Sequence, residues 1–328
     1  MIKKLDKIDY KILHCLSQNG RVSYSDIAKF VNLSKKSVIA RIDNYKIIGI
    51  ITGFYPVIDF FKFGFIYGRL LFSLTNISDI EKQNMINDLK NDKNIFWFFS
   101  FFGKYDLACA VTVKDLSHFR GVTDSILKKY GKFIKHKKES IVTRLEILNY
   151  NFLDELDKGD CIVMDEKNYD SKINYDNLDL KILDCLCEDG RISLVNISLK
   201  LDVSSKVVMY RMKNMRNNGI ILGYKPIIDY SKIGLNYFKV YFNFNSYDDE
   251  KVSALRKYLL THPNVLYLVS GVGFLGDLDF EILAKDINEL FLIIEEIKNV
   301  FPLLIDNYEI LFFDKTIKTR YLPEILLE

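Results

Sequence analysis

The chain has 328 residues, which is enough for two or more domains, and its formal charge of +3 excludes a histone-like, strongly basic composition. Hydrophobic residues make up 49% of it and charged residues 27%, with only 5 prolines, so we expect ordered globular domains. No apolar run reaches the roughly 18 residues that span a bilayer, and the charged start MIKKLDKIDYKIL is unlike a signal peptide. We therefore expect a cytoplasmic protein with no membrane partner.

Three helices are predicted at the start of the chain. Asp6 is the expected N-cap of the first, whose apolar residues recur with helical spacing, and Gly20 ends it. Ser23 opens a second helix in a pattern that resembles a capping box. Ser34 caps a third helix, which Gly49 stops. The short turn between the second and third helices is typical of a helix-turn-helix.

The stretch IITGFYPVIDF, residues 50–60, predicts a short hairpin broken at Gly53. Three helices followed by such a hairpin make a winged helix-turn-helix. The remainder of this first half alternates between strand and helix patterns. Its predicted order is strand 67–74, helix 79–91, strand 94–103, strand 106–113, helix 114–130 and strand 139–148.

The order βαββαβ is that of a ferredoxin-like domain, in which the helices cover one face of an antiparallel sheet. The uncovered face commonly packs on a second sheet. We therefore interpret the aromatic run FWFFSFF, residues 96–102, as buried sheet and interface in preference to a ligand-binding segment.

The whole plan occurs twice. A shift of 170 residues aligns residues 9–64 with 179–234 without a gap, so that DYKILHCLSQNGRVSYSDI matches DLKILDCLCEDGRISLVNI. Long ungapped self-similarity indicates that a whole unit was duplicated. The predicted fold class is α+β, and the predicted domains are a winged helix-turn-helix at 1–62, a ferredoxin-like domain at 63–153, an acidic linker at 154–175, a second winged helix-turn-helix at 176–232 and a second ferredoxin-like domain at 233–328.

Charge follows the same division. Residues 1–62 carry 11 Lys and Arg against 5 Asp and Glu, and residues 171–232 carry 10 against 7, so the rest of the chain is acidic. This is expected if only the helical modules meet a polyanion. The five cysteines form no CxxC pair, and we expect no disulfide framework, structural zinc or cofactor.

The third helix is the candidate DNA reader. Val38, Ile42 and Tyr45 are spaced to pack inward, which leaves a basic, hydrogen-bonding face near the helix start. A solvated charged face is the alternative, and the helix-turn-helix frame, the serine cap and the recurrence in the second copy favour DNA contact. The predicted DNA-binding residues of this copy are Ser34, Lys35, Lys36, Ser37, Arg41 and Asn44.

The corresponding helix of the second copy has a more apolar outer face. Val207 and Tyr210 stand where the first copy has Ser37 and Ala40. They could touch thymine methyl groups, read a different sequence or pack against protein, and the pattern alone does not decide. The predicted DNA-binding residues here are Ser204, Ser205, Lys206, Tyr210, Arg211 and Asn214.

The chain resembles the Lrp/AsnC (feast/famine) transcription regulators. The motifs LDxxDxKILxxL, GRxSxxxIA, LS, VxxRI and GIIxGYxxxID, followed by a βαββαβ domain, carry the resemblance over nearly the whole chain, twice. It implies sequence-specific binding of double-stranded DNA and dimerisation through the ferredoxin-like sheets. Because family members normally carry one copy, it also implies an intrachain pseudo-dimer with two non-identical readers, open to further homodimer assembly.

The resemblance further implies an effector, often an amino acid, bound near a G-x-x-D turn of the second domain. Matching positions are Gly103, Tyr105 and Asp106 in one copy and Gly276, Leu278 and Asp279 in the other. The competing interpretation is that Gly and Asp merely shape a tight turn, where both are preferred for conformational reasons. The second copy departs from the family by Leu278 and by a longer GVGFLGD connection.

Two other functions stay open at this point. Siroheme decarboxylases have the same two-domain arrangement, but the four histidines (14, 118, 136 and 262) are scattered and no catalytic motif is present, so we expect no enzyme and assign no catalytic residue. A DNA-wrapping architectural protein without sequence preference would need more basic charge.

Overall fold

The structure is a computed structural model that describes residues 5–153, 161–169 and 173–327. Its helices are α1 Lys7–Gln18, α2 Tyr24–Val31, α3 Lys35–Ile47, α4 Asp79–Asn91, α5 Leu116–Tyr130, α6 Asn177–Glu188, α7 Leu194–Leu201, α8 Ser205–Asn217, α9 Asp249–Thr261 and α10 Ile287–Val300. Its strands are β1 Ile51–Ile58, β2 Ile66–Leu74, β3 Ile95–Phe102, β4 Leu107–Val113, β5 Ile134–Ile147, β6 Ile162–Asp165, β7 Ile221–Ile228, β8 Asn236–Phe244, β9 Val265–Val272, β10 Leu278–Ala284 and β11 Ile305–Thr319. The α+β class and the duplicated element order are confirmed.

The N-cap residues Asp6, Ser23 and Ser34 are those that the sequence predicts, but the capping box expected at Ser23 forms at Asp6 instead, because the Asp26 carboxylate accepts from the Ser23 hydroxyl. The carboxylate of Asp6 accepts the backbone N–H groups of Ile8 and Asp9, and Asp9 returns the bond to complete a capping box. The hydroxyls of Ser23 and Ser34 accept backbone N–H groups at the starts of α2 and α3. Local hydrogen bonding therefore sets where these helices begin.

The predicted hairpin after α3 is wrong. The chain stays extended from Ile51 through Gly53 to Ile58 as the single strand β1, and its partner is β7 of the other copy. The two strands run antiparallel, with a register irregularity beside Gly53. The wing is thus a two-stranded ribbon to which each copy gives one strand. The hairpin prediction failed because a strand's pairing partner is not encoded in its own pattern.

Reciprocal contacts hold the two helix-turn-helix domains together. Arg21 donates to the carbonyl oxygens of Gly190 (2.7 Å) and Ile192 (3.0 Å), and Arg191 donates to those of Gly20 (2.6 Å) and Val22 (3.0 Å). The matching positions show that the copies are related by a pseudo-two-fold axis, as in a symmetric dimer.

Two glycines allow the two helix-turn-helix domains to approach each other this closely. The N–H of Gly20 donates to the Tyr224 carbonyl (2.7 Å), and the N–H of Gly190 donates to the Phe54 carbonyl (2.8 Å). A Cβ on Gly190 would lie 2.7 Å from the carbonyl carbon of Phe54 and 2.7 Å from the amide nitrogen of Tyr55. Because these atoms belong to backbone of the ribbon, only glycine permits the approach.

The two ferredoxin-like sheets join edge to edge into a closed barrel. The strand order is β2-β4-β3-β11-β8-β10-β9-β5, and the pairing of β5 with β2 closes the ring. The joints β3–β11 and β5–β9 each combine one strand from either copy. The sheets therefore meet, as the uncovered face predicts, but they do so by sharing hydrogen-bonded edges.

Helices lie outside this barrel. Leu70, Phe72 and Phe98 face α4 and α5, and Val240 and Phe280 occupy the corresponding core of the second copy. The aromatic run on β3 is divided by strand alternation, because Trp97, Phe99 and Phe101 point to the barrel interior. The run is thus a mostly buried strand at a joint between the copies, and three of its seven residues line a cavity.

The predicted linker is partly structured. Residues 162–165 form β6, which pairs with β5 alongside Arg144 and Ile147. Residues 154–160 and 170–172 of the same stretch lie outside the described residues. Among the described helices, none combines the length and the apolar character required to cross a bilayer.

One lysine is buried where the ribbon meets the barrel. Lys225 on β7 is fully inaccessible, and its Nζ donates to Oδ1 of Asn149 at 2.6 Å. Burial lowers the pKa of Lys225 to about 7. An ammonium is costly in such a site, so the neutral amine is favoured above that pH.

We predict that Gly190→Ala destabilises the protein by about 1–3 kcal/mol, because the new methyl group meets backbone that cannot move without opening the ribbon. The matched control is Gly121→Ala in α5, where a Cβ meets no atom within 4 Å and a gain of about 0.5–1 kcal/mol is expected. Urea unfolding measures both, and equal midpoints for the two variants would contradict the assigned contact.

We also predict that burial of Lys225 gives a pH-dependent stability. Its folded pKa lies below its unfolded value, so between about pH 7 and 10 the unfolded chain binds more protons and the free energy of unfolding rises with pH. Lys225→Met should lose this contribution, of about 1 kcal/mol per pH unit, whereas the exposed control Lys213→Met should follow the parent chain. Parallel stability–pH curves for the parent chain and Lys225→Met, from urea unfolding, would refute the prediction.

Candidate nucleic-acid interface and effector site

The first turn of α3 presents an exposed, positively charged surface. Lys35, Lys36 and Ser37 are exposed, and the Ser34 hydroxyl accepts the Ser37 N–H at 3.1 Å. The turn contains no acidic residue, although the positive end of a helix dipole disfavours lysine and favours anions. An unbalanced positive helix start of this kind is a site where a phosphate would be stabilised.

Val38, Ile42 and Tyr45 pack inward as predicted, whereas Arg41 requires a correction. Its Nη1 lies 2.9 Å from Oδ2 of Asp6 and 2.5 Å from Oδ1 of Asp9. It therefore faces α1 and is half-buried, and does not belong to the outward stripe. Helical spacing places Arg41 at the edge of that stripe, and the carboxylates of the α1 capping box draw it inward.

Charge interactions stabilise the cluster that Arg41 forms with the two capping-box carboxylates. The hydrogen bond to Asp6 raises the pKa of Arg41, and the backbone N–H of Asp9 lowers the pKa of Asp6. The Tyr45 hydroxyl donates to Asp9 at 2.5 Å, and burial raises the pKa of that phenol. The guanidinium thus joins α3 to the capping box of α1.

The second copy repeats the cluster. Nη1 of Arg211 lies 2.8 Å from Oδ2 of Asp176 and 3.1 Å from Oδ2 of Asp179. Burial raises the pKa of Asp179. Arg211, like Arg41, is therefore a packing residue, which corrects its assignment to the outer face.

The outer face of α8 differs from that of α3. Ser204, Lys206 and Val207 are exposed, and Tyr210 is 63% exposed. Ser205 is half-buried, with its hydroxyl 3.0 Å from that of Ser198 on α7, so it is turned away from the outer face. Tyr210 therefore stands mostly free of the described residues, which favours the two DNA interpretations over packing against protein.

Asn44 and Asn214 occupy matching half-buried positions on α3 and α8. Each supplies a backbone carbonyl to the end of its helix, Asn44 to Ile48 and Asn214 to Asn218. They lie beyond the exposed first turns, so the basic surface centres on Lys35, Lys36 and Lys206.

The predicted effector residues of the first copy serve the fold. The carboxylate of Asp106 accepts the backbone N–H of Leu74 at 2.7 Å, and Tyr105 is buried among Leu71, Phe101 and Tyr241. Gly103 has φ +131°, a conformation that side chains rarely adopt. This is the structural role that the competing interpretation of the turn describes.

The G-x-x-D assignment in the second copy is corrected by two residues, from Asp279 to Asp277. Asp277 accepts the N–H of Phe244 at 2.7 Å, as Asp106 does in the first copy, so Asp277 is its equivalent. The longer connection shifts the alignment from 170 to 171 residues. Leu278 and Gly276 consequently lie against barrel strands, with Leu278 in the hydrophobic core, and Asp279 points into the barrel.

Asp279 belongs to a charged cluster that spans the two copies. Arg69 Nη1 lies 3.0 Å from Oδ2 of Asp279, and Lys239 Nζ lies 2.5 Å from its Oδ1. Glu281 accepts from Lys239 at 3.0 Å and from the Tyr237 hydroxyl. Burial raises the pKa of Asp279, which Lys239 and Arg69 oppose. Sequence reasoning missed this cluster; the only signal was charged residues within strand patterns.

The cluster lies beside a cavity of about 910 Å³. The barrel contributes aromatic side chains to its lining, including Trp97, Tyr241 and Phe313. The ribbon contributes Thr52 and Ile227 to the lining, so the cavity extends between the barrel and the helix-turn-helix pair.

Comparisons agree with this architecture. The AsnC-type helix-turn-helix domain family matches residues 5–46, and a winged helix-turn-helix DNA-binding family matches residues 175–221. An uncharacterised HTH-type transcriptional regulator of Pyrococcus abyssi is 30% identical over 129 residues, which are 39% of this chain and 86% of that protein. The HTH-type transcriptional regulator Ptr1 of Methanocaldococcus jannaschii is 31% identical over 133 residues, 40% of this chain and 81% of that one.

These matches define the class as helix-turn-helix transcription regulators. The chain belongs to the Lrp/AsnC family and carries its unit twice. Over the whole chain the fold is similar to the crystal structure of the siroheme decarboxylase NirDL, with a TM-score of 0.60, 12% identity, and coverage of 97% of this chain and 94% of that one.

We predict that Arg41→Ala lowers the stability of the first helix-turn-helix by about 1–3 kcal/mol, because it leaves two carboxylates without their cation. Urea unfolding followed by circular dichroism measures the loss. The matched control Lys36→Ala removes the same charge from an exposed side chain and should stay within about 0.5 kcal/mol of the parent. If Arg41→Ala were equally neutral, the packing role would be wrong.

Proposed function

We propose that the chain is a sequence-specific DNA-binding transcription regulator that acts as an intrachain pseudo-dimer and catalyses no reaction. One observation carries the proposal. The reciprocal contacts of Arg21 and Arg191 hold two helix-turn-helix domains as a pair, and each has a recognition helix whose first turn is exposed, serine-capped and free of acidic residues.

The two readers differ where they would meet base edges. Positions 37 and 40 are Ser and Ala in the first copy, and the equivalent positions 207 and 210 are Val and Tyr. A serine hydroxyl can hydrogen-bond to several base edges, whereas valine offers apolar contact to a thymine methyl group. We therefore propose that the chain binds an imperfect palindrome whose half-sites lie about one helical turn, or a multiple of it, apart.

A tetrapyrrole enzyme is the second candidate, because the chain shares a whole-chain fold with a siroheme decarboxylase and contains a large cavity. A tetrapyrrole carrying several carboxylates needs an excess of cations. In this cavity Arg69 and Lys239 are both paired with Asp279 and Glu281, so that excess is lacking among the central charges. The charge balance favours the regulator, and a Soret band on addition of a tetrapyrrole would favour the enzyme.

Lysines at the two helix starts should bind phosphate. We predict that Lys36→Ala and Lys206→Ala each weaken binding to specific and non-specific DNA alike, and reduce the slope of log affinity against log salt by about 1. Lys90→Ala in α4 removes the same charge from an exposed site on the ferredoxin-like domain and should leave both quantities unchanged. Gel shifts at several salt concentrations measure them, and equal effects of all three substitutions would contradict the assigned interface.

Converting one reader into the other tests sequence-specific binding directly. We predict that Val207→Ser combined with Tyr210→Ala makes the two half-sites selected from random DNA more alike, because the outer face of α8 then matches α3 at both positions. The parent chain should select two different half-sites. Selection of unrelated sequences by the parent, or unchanged asymmetry in the variant, would overturn the proposal.

A further inference from the structure

The cavity within the barrel contains features that the fold itself does not require. Its volume of about 910 Å³ is within the range of small-molecule sites, which are concave, mostly apolar and equipped with a few polar groups. A barrel of eight strands can be filled completely by its own side chains. Here Ala108 and Ala110 on β4 leave open the space that larger side chains would fill.

Two hydrogen-bond donors in this cavity lack a partner among the described residues. They are the Tyr241 hydroxyl, whose side chain is 1% exposed, and the indole N–H of Trp97, whose nitrogen is buried. Both residues line the cavity. Buried polar groups are normally satisfied, and the indole N–H can only donate, so what completes the site must present hydrogen-bond acceptors.

Aromatic walls set the shape of such a ligand. Trp97, Phe99 and Phe101 of one copy line the cavity together with Tyr241, Tyr267 and Phe313 of the other. Aromatic faces and edges are favourable partners for a flat, unsaturated ring system. The shape and the walls together favour a planar molecule with two or three fused rings over a flexible chain.

The charged side chains in the cavity determine which net charge a ligand can carry. Two cations, Arg69 and Lys239, face two carboxylates, Asp279 and Glu281, at separations of 2.5 to 4.0 Å. The cluster is balanced by its own ion pairs and leaves no central group to neutralise a charged ligand. An added ion would be desolvated without a partner, and an uncharged ligand avoids that cost.

The rest of the cavity lining does not reverse this preference. Outside the central cluster it holds the acidic residues Asp184, Glu188, Asp229 and Asp314 against the basic residues Lys315 and Arg320. This part of the lining is therefore acidic on balance and disfavours an anion. The two cations of the central cluster stand at matching positions of the two copies, one on β2 and one on β8, whereas both carboxylates lie on β10. The cluster therefore forms only where strands of both copies meet.

From the cavity, its unpartnered donors and its balanced charges, we propose that the barrel interior binds an uncharged, planar heteroaromatic molecule with acceptor atoms at its edge, such as ring carbonyl groups. Its fused rings lie against the aromatic walls, and its acceptors receive the Tyr241 hydroxyl and the Trp97 N–H. The proposal does not depend on DNA binding.

Trp97 provides the assay, because it is the only tryptophan in the sequence. The full-length chain is titrated with lumichrome, an uncharged three-ring compound with ring carbonyl groups, and quenching of tryptophan fluorescence is followed beside a free-tryptophan control. The expected result is saturable quenching. The charged probe 2-anthracenecarboxylate, which has a similar width, should bind at least ten-fold more weakly. No saturable lumichrome binding would overturn the proposal.

Substitutions locate the site. Tyr241→Phe removes the donor and should weaken lumichrome binding several-fold, whereas Tyr247→Phe removes a hydroxyl from an exposed tyrosine and should not change it. Ala108→Phe should abolish binding by filling the cavity, with its fold checked by circular dichroism. Unchanged binding in both Tyr241→Phe and a folded Ala108→Phe would place lumichrome elsewhere. Tighter binding of 2-anthracenecarboxylate or of iron protoporphyrin than of lumichrome would refute the ligand class.

Discussion

The antiparallel ribbon of β1 and β7 is the constraint on which the rest of the structure depends. Among the described residues, each strand pairs only with the strand of the other copy, so neither helix-turn-helix can satisfy its wing alone. The guanidinium groups of Arg21 and Arg191 reinforce the ribbon by donating to backbone carbonyl groups of the opposite copy. These bonds use main-chain acceptors, so they fix the geometry of the pair while leaving the outer faces of α3 and α8 free to diverge.

The barrel, like the ribbon, depends on strands that pair across the two copies. Its two joints, β3–β11 and β5–β9, pair strands across the copies, and together with the pairing of β5 and β2 they close the eight-stranded ring. Closure brings the inward faces of both sheets around one cavity. A symmetric arrangement of open sheets would expose the aromatic side chains of β3, including Trp97 and Phe99, which the closed ring shelters.

Fusion of the copies permits a charge arrangement that two identical subunits could not adopt. Arg69 and Lys239 stand at equivalent positions, but the positions of Asp279 and Glu281 are Ala108 and Ala110 in the first copy. In an identical pair, each carboxylate would occur twice. The single chain instead sets two cations against two anions at the centre, with small residues opposite them. The outer faces of α3 and α8 differ in the same way, because Tyr210 on α8 stands where α3 has Ala40.

The sequence by itself determined the duplication, the helices, most of the strands and the N-cap residues, because these depend on local periodicity and on hydrogen bonds between near neighbours, as at Asp6 and Ser34. It also determined which helices carry lysine at an exposed start. Only the tertiary structure decided which partner each strand takes, which is why the expected hairpin became a shared ribbon. It likewise decided that Arg41 and Arg211 pair with the capping-box carboxylates and do not face outward. It also decided that the equivalent of Asp106 is Asp277 and not Asp279. The cavity and its charges were beyond the sequence, since Arg69 and Asp279 are 210 residues apart and meet only when the barrel closes.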